Sequence, residues 1–247
     1  MADADRSEGA PHAVAPPVSI TVFFPCHNEQ ANVQRVTEQA VQVLETLGAD
    51  YEVIIVDDGS RDETGRIADE LAQSNPRVRA IHHERNRGYG AALQSGFRAA
   101  TKELVFYTDG DGQFDIGEMP GLLPLMADFD IVSCYRISRQ DPLMRKINGW
   151  LWTRMIRLAF SLRVRDVDCA FKLYKRRLFE EITMESTGAL IDTEILARAV
   201  RRGYRITQRG VRHYPRTAGQ QTGANWRVIL RAFKELLQLR RRILREK

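Results

Sequence analysis

Short apolar segments alternate with longer amphipathic segments over the first half of the chain. The apolar segments are rich in β-branched and aromatic residues, which favour strands. They predict strands at residues 18–24, 51–57, 77–82 and 104–108. The segments between them predict helices at residues 29–47, with Asn28 as N-cap, and at residues 62–74 and 88–100. This alternation favours an α/β fold with a mostly parallel sheet, in which ligands bind at the carboxyl ends of the strands.

The second half of the chain predicts one more strand, at residues 130–135, and three amphipathic helices. The helices are expected at residues 142–162, 192–202 and 224–247. The first has an apolar stripe that consists of Ile147, Leu151, Met155, Leu158 and Leu162. The last combines an apolar face with a basic one. We expect it to lie in an anionic membrane interface, to dock on the rest of the chain, or to contact a second copy.

Composition is typical of an ordinary folded protein. Of the 247 residues, 43% are hydrophobic and 28% are charged, which excludes a mainly disordered or collagenous chain. The three cysteines form no CxxC pair, so we expect neither a zinc ribbon nor a disulfide framework. No apolar run reaches the ~18–20 residues of a membrane span, and residues 1–17 are expected to be a disordered tail. We therefore expect a cytoplasmic protein, at most peripheral on a membrane.

Charge is divided unevenly along the chain. Residues 1–130 contain 10 Lys and Arg against 22 Asp and Glu, whereas residues 131–247 contain 27 against 10. An acidic half suits a metal ion, and a basic half suits phosphates, nucleic acid or an anionic membrane. Solvated helix faces are the alternative interpretation for any single arginine.

Polar residues follow each predicted strand of the first half. Asp109 and Asp111 follow the fourth strand and give the strongest signal, because two carboxylates so close together repel each other unless a cation is bound. Mg²⁺ prefers one or two carboxylates plus phosphate oxygens, so the pair predicts a site for a metal-bound diphosphate. An acidic turn is the alternative, as it is for Asp58 after the second strand. Gly88 and Gly90 would let the backbone approach a phosphate.

Four motifs in a fixed order point to a family. They are PCHNE from residue 25, VDDGSRDET from residue 56, NRGYGAA from residue 86 and DGDGQF from residue 109. Together they resemble the family-2 inverting glycosyltransferases of the GT-A fold, and more narrowly the dolichyl- and polyprenyl-phosphate sugar synthases such as dolichol-phosphate mannose synthase. The resemblance implies a GT-A domain at residues 18–222, followed by the basic helix at 223–247. Residues 18–115 would form its nucleotide-sugar half and residues 116–222 its acceptor half.

The resemblance also implies which residues bind the donor and its metal ion. The implied donor-binding residues are Pro25, Asn28, Glu29, Asp58, Arg87 and Asp109. The implied ligands of Mg²⁺ or Mn²⁺ are Asp109, Asp111 and Gln113, and Asp111 is also expected to be catalytic.

Two later segments are expected to serve the acceptor. Residues 166–172 resemble the family's D-x-x-C-G-F-[KR] segment, with Ala170 in place of Gly, and Asp166 aligns with the catalytic or acceptor-orienting Asp. Asp168 is the second candidate, and a salt bridge to a nearby arginine is the alternative for both. Residues 213–222 resemble the H-x-P-R-x-x-G-x-S loop, in which Arg216 is expected to be catalytic and Thr222 lies one residue later than the family's Ser. The residues expected to bind an acceptor phosphate are Arg136, Arg139, Arg145 and Arg216.

The acidic pair Asp192 and Glu194 opens the helix predicted at 192–202. We expect these charges to complement the helix dipole rather than to take part in catalysis.

The expected reaction is metal-dependent, inverting transfer of a hexose from a nucleotide sugar to a polyprenyl or dolichyl phosphate. The resemblance favours GDP-mannose as donor, with UDP-glucose second. A phosphate acceptor is already ionised at neutral pH and needs arginines rather than a general base, and the basic second half supplies them. The expected partners are these two substrates and an anionic membrane or a membrane protein, with no nucleic acid; a homo-oligomer is left open.

Two alternatives remain. The first is a family-2 enzyme that acts on a sugar or glycan hydroxyl in cell-envelope polysaccharide synthesis. The second is a basic module that binds nucleic acid or membrane without catalysis, and such a module has no use for Asp109 and Asp111.

Overall fold

Strands and helices alternate along the first half of the chain, as the sequence pattern predicts. The structure, a computed structural model, describes residues 17–137, 143–216 and 226–245. The first half forms β1 (Ser19–Cys26), α1 (Val33–Thr46), β2 (Asp50–Asp57), α2 (Thr64–Ser74), β3 (Val78–His82), α3 (Tyr89–Ala99) and β4 (Leu104–Thr108). A 3₁₀ segment (Ile116–Ala127) leads to β5 (Ile131–Ser133), β6 (Tyr135–Ile137), α4 (Leu143–Phe160), β7 (Phe171–Lys175), α5 (Leu178–Glu181), α6 (Ile191–Arg201), β8 (Ile206–Thr207), β9 (Gly210–Arg212) and α7 (Trp226–Arg245).

The main sheet has seven strands in the order β3-β2-β1-β4-β7-β5-β8. β1 to β4 run parallel to one another, β5 runs parallel to β8, and within this sheet of described strands only β7, between β4 and β5, runs antiparallel to its neighbours. β6 and β9 form a separate parallel pair. The expected α/β fold with a mostly parallel sheet is therefore confirmed. The carboxyl ends of β1, β2 and β4 lie at one edge, which is where such sheets bind ligands.

Two predicted boundaries are wrong. α1 begins at Val33 rather than at residue 29, because Asn28 adopts a left-handed backbone (φ 57°) and the chain turns before the helix starts. The strand expected at 130–135 is two strands, β5 and β6, which pair with different partners. Most of the expected tail, residues 1–16, lies outside the described residues.

The apolar stripe expected on α4 is only partly buried: Met155 packs against the core and Leu162, just past the end of the helix, is 2% exposed. Leu151 is 53% exposed and Leu158 is 75% exposed, whereas Thr153 and Ile156 are buried. Helical spacing separates Leu151 from Leu158 and also Thr153 from Ile156, so the spacing of the apolar residues alone did not indicate which face of the helix packs inward.

The C-terminal helix docks on the rest of the chain, one of the three expected arrangements. Leu236, Leu239 and Ile243 are buried in the core, and Arg240 Nε donates to the Ala159 carbonyl of α4 at 3.0 Å. An adjacent face carries Leu237 and Leu244, each more than half exposed. Within the described part of the chain, each helix is too short or too polar to span a bilayer.

Candidate active site

The loops that follow β1 and β2 are held together by side-chain hydrogen bonds. The backbone amide of Asn28 donates to Ser60 Oγ at 2.9 Å, and its side-chain oxygen accepts from the Arg61 amide at 2.8 Å. The Glu29 amide donates to Thr64 Oγ1 at 2.8 Å. Two expected donor-binding residues, Asn28 and Glu29, therefore lie on a loop that is fixed against the end of β2.

Asp58 anchors the loop between β3 and α3. Its carboxylate accepts from the Arg87 amide at 2.8 Å and from the Gly88 amide at 2.9 Å, and His83 Nδ1 lies 2.6 Å from Oδ1. The next residue, Gly59, has a φ of +65°, and a Cβ there would lie 2.3 Å from the Arg85 backbone. This close approach requires glycine. Asp58 and Arg87, both expected at the donor site, thus belong to adjoining loops.

Asp109 and Asp111 lie at the end of β4, next to these loops. Burial, reinforced by the charge of Asp111, raises the pKa of Asp109 to about 7. The Tyr89 hydroxyl donates to Asp109 Oδ1 at 3.1 Å. Two neighbouring carboxylates in a buried position repel each other, so the protein favours either a proton or a cation between them.

Arg216 brings the C-terminal segment to the same place. Its guanidinium pairs with Glu29, and Nη1 lies 3.9 Å from Asp111 Oδ2. Gln113 fixes this segment further, because its Nε2 donates to the Tyr214 carbonyl at 2.8 Å and its own carbonyl accepts from the Tyr214 amide at 2.8 Å. The structure therefore brings together Glu29, Asp111, Gln113 and Arg216 from three distant parts of the sequence.

The residues at this edge fit a divalent cation that arrives with phosphate. Among the described residues no group of three or more His, Cys, Asp or Glu side chains is arranged to hold a metal by itself. Asp109 and Asp111 could supply two carboxylates to such an ion, and Gln113 could supply an amide oxygen. Mg²⁺ is bound through one or two carboxylates plus substrate phosphate oxygens, which matches this incomplete set.

Asp166 and Arg136 form a two-pronged ion pair. Arg136 Nε lies 2.7 Å from Asp166 Oδ2, and Nη2 lies 2.9 Å from Oδ1. The salt bridge was the alternative interpretation of Asp166, and it links a residue expected to be catalytic with one expected to bind phosphate. Asp168 differs from Asp166, because burial and the nearby charges of Asp192 and Asp166 raise its pKa to about 6.

Three residues named from the sequence cannot be placed. Arg139, Thr222 and the side chain of Arg145 lie outside the described residues. Their expected acceptor roles stay predictions.

Asp192 and Glu194 lie in the first turn of α6, as expected for charges that complement the helix dipole, and both also form buried ion pairs. Lys172 Nζ lies 2.7 Å from Asp192 Oδ1, and Lys172 is 0% exposed. Arg198 Nη2 lies 2.8 Å from Glu194 Oε1, and Glu194 also accepts from the Ser186 amide. The sequence pattern placed Lys172 in the D-x-x-C-G-F-[KR] segment but did not predict its buried ion pair, although a lysine inside the apolar segment FKLYK signals a buried charge.

Comparison with known proteins identifies the family. Residues 21–183 match the family model described as Glycosyl transferase family 2. The chain belongs to this family. As a family-2 glycosyltransferase domain it is 32% identical over 206 residues to Glycosyltransferase AglD of Haloferax volcanii, covering 79% of this chain and 33% of that protein.

A second relative adds to this picture. The chain is 30% identical over 168 residues to an undecaprenyl-phosphate 4-deoxy-4-formamido-L-arabinose transferase of Klebsiella pneumoniae, covering 67% of this chain and 51% of that protein. The chain thus spans about a third and about half of the length of these two relatives.

Solved structures support the GT-A fold. Glucosyl-3-phosphoglycerate synthase from Mycobacterium tuberculosis, in complex with UDP, superposes with a TM-score of 0.68 at 17% identity and covers 90% of this chain and 80% of that chain. The same enzyme with Mn²⁺, UDP-glucose and phosphoglyceric acid gives a TM-score of 0.63 at 18% identity, with 92% of this chain and 77% of that chain covered. At 17–18% sequence identity, this similarity is evidence for a shared fold only.

Proposed function

We propose that this family-2 glycosyltransferase transfers a hexose from a nucleotide sugar to a polyprenyl or dolichyl phosphate, with a divalent cation and with inversion at the anomeric carbon. The observation that carries the proposal is the meeting of Asp109, Asp111 and Arg216 at the carboxyl end of the parallel strands. A nucleoside diphosphate fits this place, because a carboxylate-bound cation and a guanidinium would both contact its phosphates.

The donor would lie across the loops after β1, β2 and β3. The residues assigned to it are Pro25, Asn28, Glu29, Asp58, Arg87 and Asp109. Asp109, Asp111 and Gln113 would hold Mg²⁺ or Mn²⁺, and the ion when bound would neutralise charge on the leaving diphosphate. Arg216, now paired with Glu29, supplies a second positive charge for that diphosphate.

A phosphate acceptor follows from the arginines and from the Klebsiella relative, whose name specifies undecaprenyl phosphate. Arg136, Arg139, Arg145 and Arg216 are the residues assigned to the acceptor phosphate. Because Asp166 pairs with Arg136 in a two-pronged contact, it would orient that guanidinium toward the acceptor rather than remove a proton. A phosphate monoester is largely ionised at neutral pH, so no general base is needed.

Transfer to a sugar hydroxyl is the second candidate, and one observation favours it. A hydroxyl acceptor requires a general base whose pKa lies near the working pH. The pKa of Asp168, raised to about 6, meets this condition. The two candidates therefore differ in which aspartate is essential, Asp166 for a phosphate and Asp168 for a hydroxyl.

We also propose that the domain acts at the cytoplasmic face of a membrane. Exposed leucines seven residues apart occur on α4 (Leu151 and Leu158) and on α7 (Leu237 and Leu244). Arginines accompany them on both helices, and this combination suits an anionic lipid surface. Contact with a membrane protein or a second copy would use the same surface.

The acceptor assay decides between the candidates. Purified protein is incubated with Mn²⁺ and labelled GDP-mannose or UDP-glucose, together with polyprenyl phosphate, free polyprenol or an oligosaccharide. We expect label to enter the organic phase with polyprenyl phosphate and not with polyprenol. Label transferred only to the oligosaccharide would overturn the phosphate proposal and support the hydroxyl candidate.

A matched pair of variants ties activity to the site. Asp111→Asn is expected to lower transfer at least about 100-fold, because a metal ligand and a charge are lost. Asp128→Asn is the control, because Asp128 is exposed and precedes β5 at the other end of the sheet. If the two variants were equally active, Asp111 would have no role in the mechanism.

A further inference from the structure

A buried lysine behind the active site has all of its hydrogen-bonding capacity in use. Lys172 Nζ on β7 donates to Asp192 Oδ1 at 2.7 Å, to the Tyr107 hydroxyl at 3.0 Å and to the Cys169 carbonyl at 2.6 Å. A lysine has three donors, so each one has an acceptor. A buried charge is tolerated only with such complete pairing, which fixes the positions of its partners.

The polar contacts continue from this lysine toward the carboxylate pair. The Tyr107 hydroxyl on β4 donates to Asp192, which holds the Tyr107 side chain in place. The Tyr107 hydroxyl lies close enough to Tyr89 on α3 for each side chain to influence the pKa of the other. Tyr89 in turn donates to Asp109 Oδ1 at 3.1 Å. Polar side chains therefore lie next to one another from Lys172 to the carboxylate assigned to the cation, with hydrogen bonds on either side of the contact between the two tyrosines.

The contact with Tyr89 uses one oxygen of Asp109 and leaves the other for a ligand. A carboxylate held in this way has a defined orientation, and outer partners of this kind are known to orient metal ligands. The alternative role for Tyr89 is only to pack the start of α3, where Gly90 and Ala91 already donate to the Thr187 carbonyl. Packing depends on the ring, whereas orientation of Asp109 depends on the hydroxyl.

We propose that Tyr89 is a positioning residue for Asp109, and that Tyr107, fixed by the buried pair Lys172–Asp192, lies beside Tyr89 and limits the positions its side chain can take. This inference rests on the proposed role of Asp109 as a cation ligand. It adds to that role a support that runs through three elements, β4, β7 and α6.

The test removes hydroxyls one at a time. Mn²⁺ is titrated calorimetrically into protein saturated with UDP or GDP, for wild type, Tyr89→Phe, Tyr107→Phe and Tyr174→Phe. Tyr174→Phe is the matched control, because its buried hydroxyl has no hydrogen-bond partner among the described residues. We expect Mn²⁺ to bind about 10-fold more weakly to Tyr89→Phe, roughly 3-fold more weakly to Tyr107→Phe, and unchanged to Tyr174→Phe.

The outcomes separate this inference from the proposed function. If wild type binds Mn²⁺ and Tyr89→Phe binds it equally well, the positioning role is wrong while the metal site stands. If wild type binds no Mn²⁺ with either nucleotide, the proposed metal role of Asp109 fails and the positioning role fails with it. Metal-free nucleotide affinity and melting temperature, unchanged in Tyr89→Phe, would show that the loss concerns the cation and not the fold.

Discussion

At the residue scale, the candidate site differs from the rest of the interior in how its charges are balanced. Lys172 and Asp192 neutralise each other, as do Arg198 and Glu194. Asp109 has a like charge as its neighbour instead, and burial, together with this charge, raises the pKa of its carboxyl to about 7. Because the fold holds two like-charged carboxylates close together, the folded state is stabilised when a cation binds to them.

The raised pKa of Asp109 predicts that cation affinity depends on pH. The carboxyl must lose its proton to bind a metal, so Mn²⁺ affinity should fall about 10-fold for each pH unit below about 7 and level off above it. Calorimetric titration of Mn²⁺ between pH 5.5 and 8.5, with nucleotide present, measures this. Nucleotide alone in the same buffers is the reference, and an affinity independent of pH after that correction would contradict the prediction.

Asp168 gives a prediction about stability. Its pKa is raised from 3.8 to about 6, so the folded state disfavours its carboxylate. The resulting loss of stability is absent below about pH 4 and complete above about pH 6. Asp168→Asn should therefore raise the free energy of unfolding by about 2 kcal/mol at pH 8 and leave it nearly unchanged at pH 4.

Denaturant unfolding at the two pH values checks this, with Asp166→Asn as the contrast. That variant leaves Arg136 without its carboxylate partner and should lower stability by roughly 1–3 kcal/mol at pH 8. An Asp168→Asn protein less stable than wild type at pH 8 would show that its carboxylate is stabilising.

At the element scale, the strands that the sequence predicts best are the buried parallel ones. β2 is a continuous apolar run, which is typical of a strand that is buried on both faces. The predicted strand, residues 51–57, differs by one residue from the strand found, Asp50–Asp57. β8 and β9 have three residues or fewer and pair with strands far along the chain, so the local pattern did not reveal them, and the same pattern joined β5 and β6 into one strand. The exposure of Leu151 and Leu158 on α4 was not predicted for the same reason, since packing against distant residues selects the buried positions.

The close contact between the start of α3 and the loop before α6 predicts a sharp difference between two glycines. A Cβ on Gly90 would lie 2.4 Å from the Ser186 carbonyl oxygen, whereas a Cβ on Gly188 would have nothing within 4 Å. Gly90→Ala should therefore destabilise the fold by roughly 1–3 kcal/mol, and Gly188→Ala should not. Thermal melting measures both, and equal melting temperatures would mean that the two segments can separate without cost.

The exposed leucines of α4 and α7 predict membrane binding. Leu151→Ser with Leu158→Ser should reduce sedimentation with vesicles that contain phosphatidylglycerol by about 10-fold, because apolar area is lost from the interface. Val200→Ser is the control, because Val200 is an exposed apolar residue on α6. Equal reduction by both changes, or none by either, would contradict the assignment of this surface.

At the scale of the whole molecule, the two halves of the unevenly charged sequence contribute side chains of opposite charge to the candidate site. The acidic first half contributes the strand-end carboxylates, and the basic second half contributes Arg136 and Arg216. The motifs predicted that Glu29, Asp111 and Arg216 serve one site, and the structure brings them together from positions up to 187 residues apart. The support from Lys172, Tyr107 and Tyr89 was not predictable, because it depends on which side chains meet inside the fold.

The central claim is that a cation joins Asp109 and Asp111 to the diphosphate of the donor. Crystals grown with Mn²⁺ and a nucleoside diphosphate, measured at the manganese absorption edge, test it directly through the anomalous difference map. We predict one strong peak at about 2.1 Å from an oxygen of each carboxylate and in contact with the diphosphate. Bound nucleotide with no peak between these two aspartates, or with the ion held elsewhere, would contradict the account.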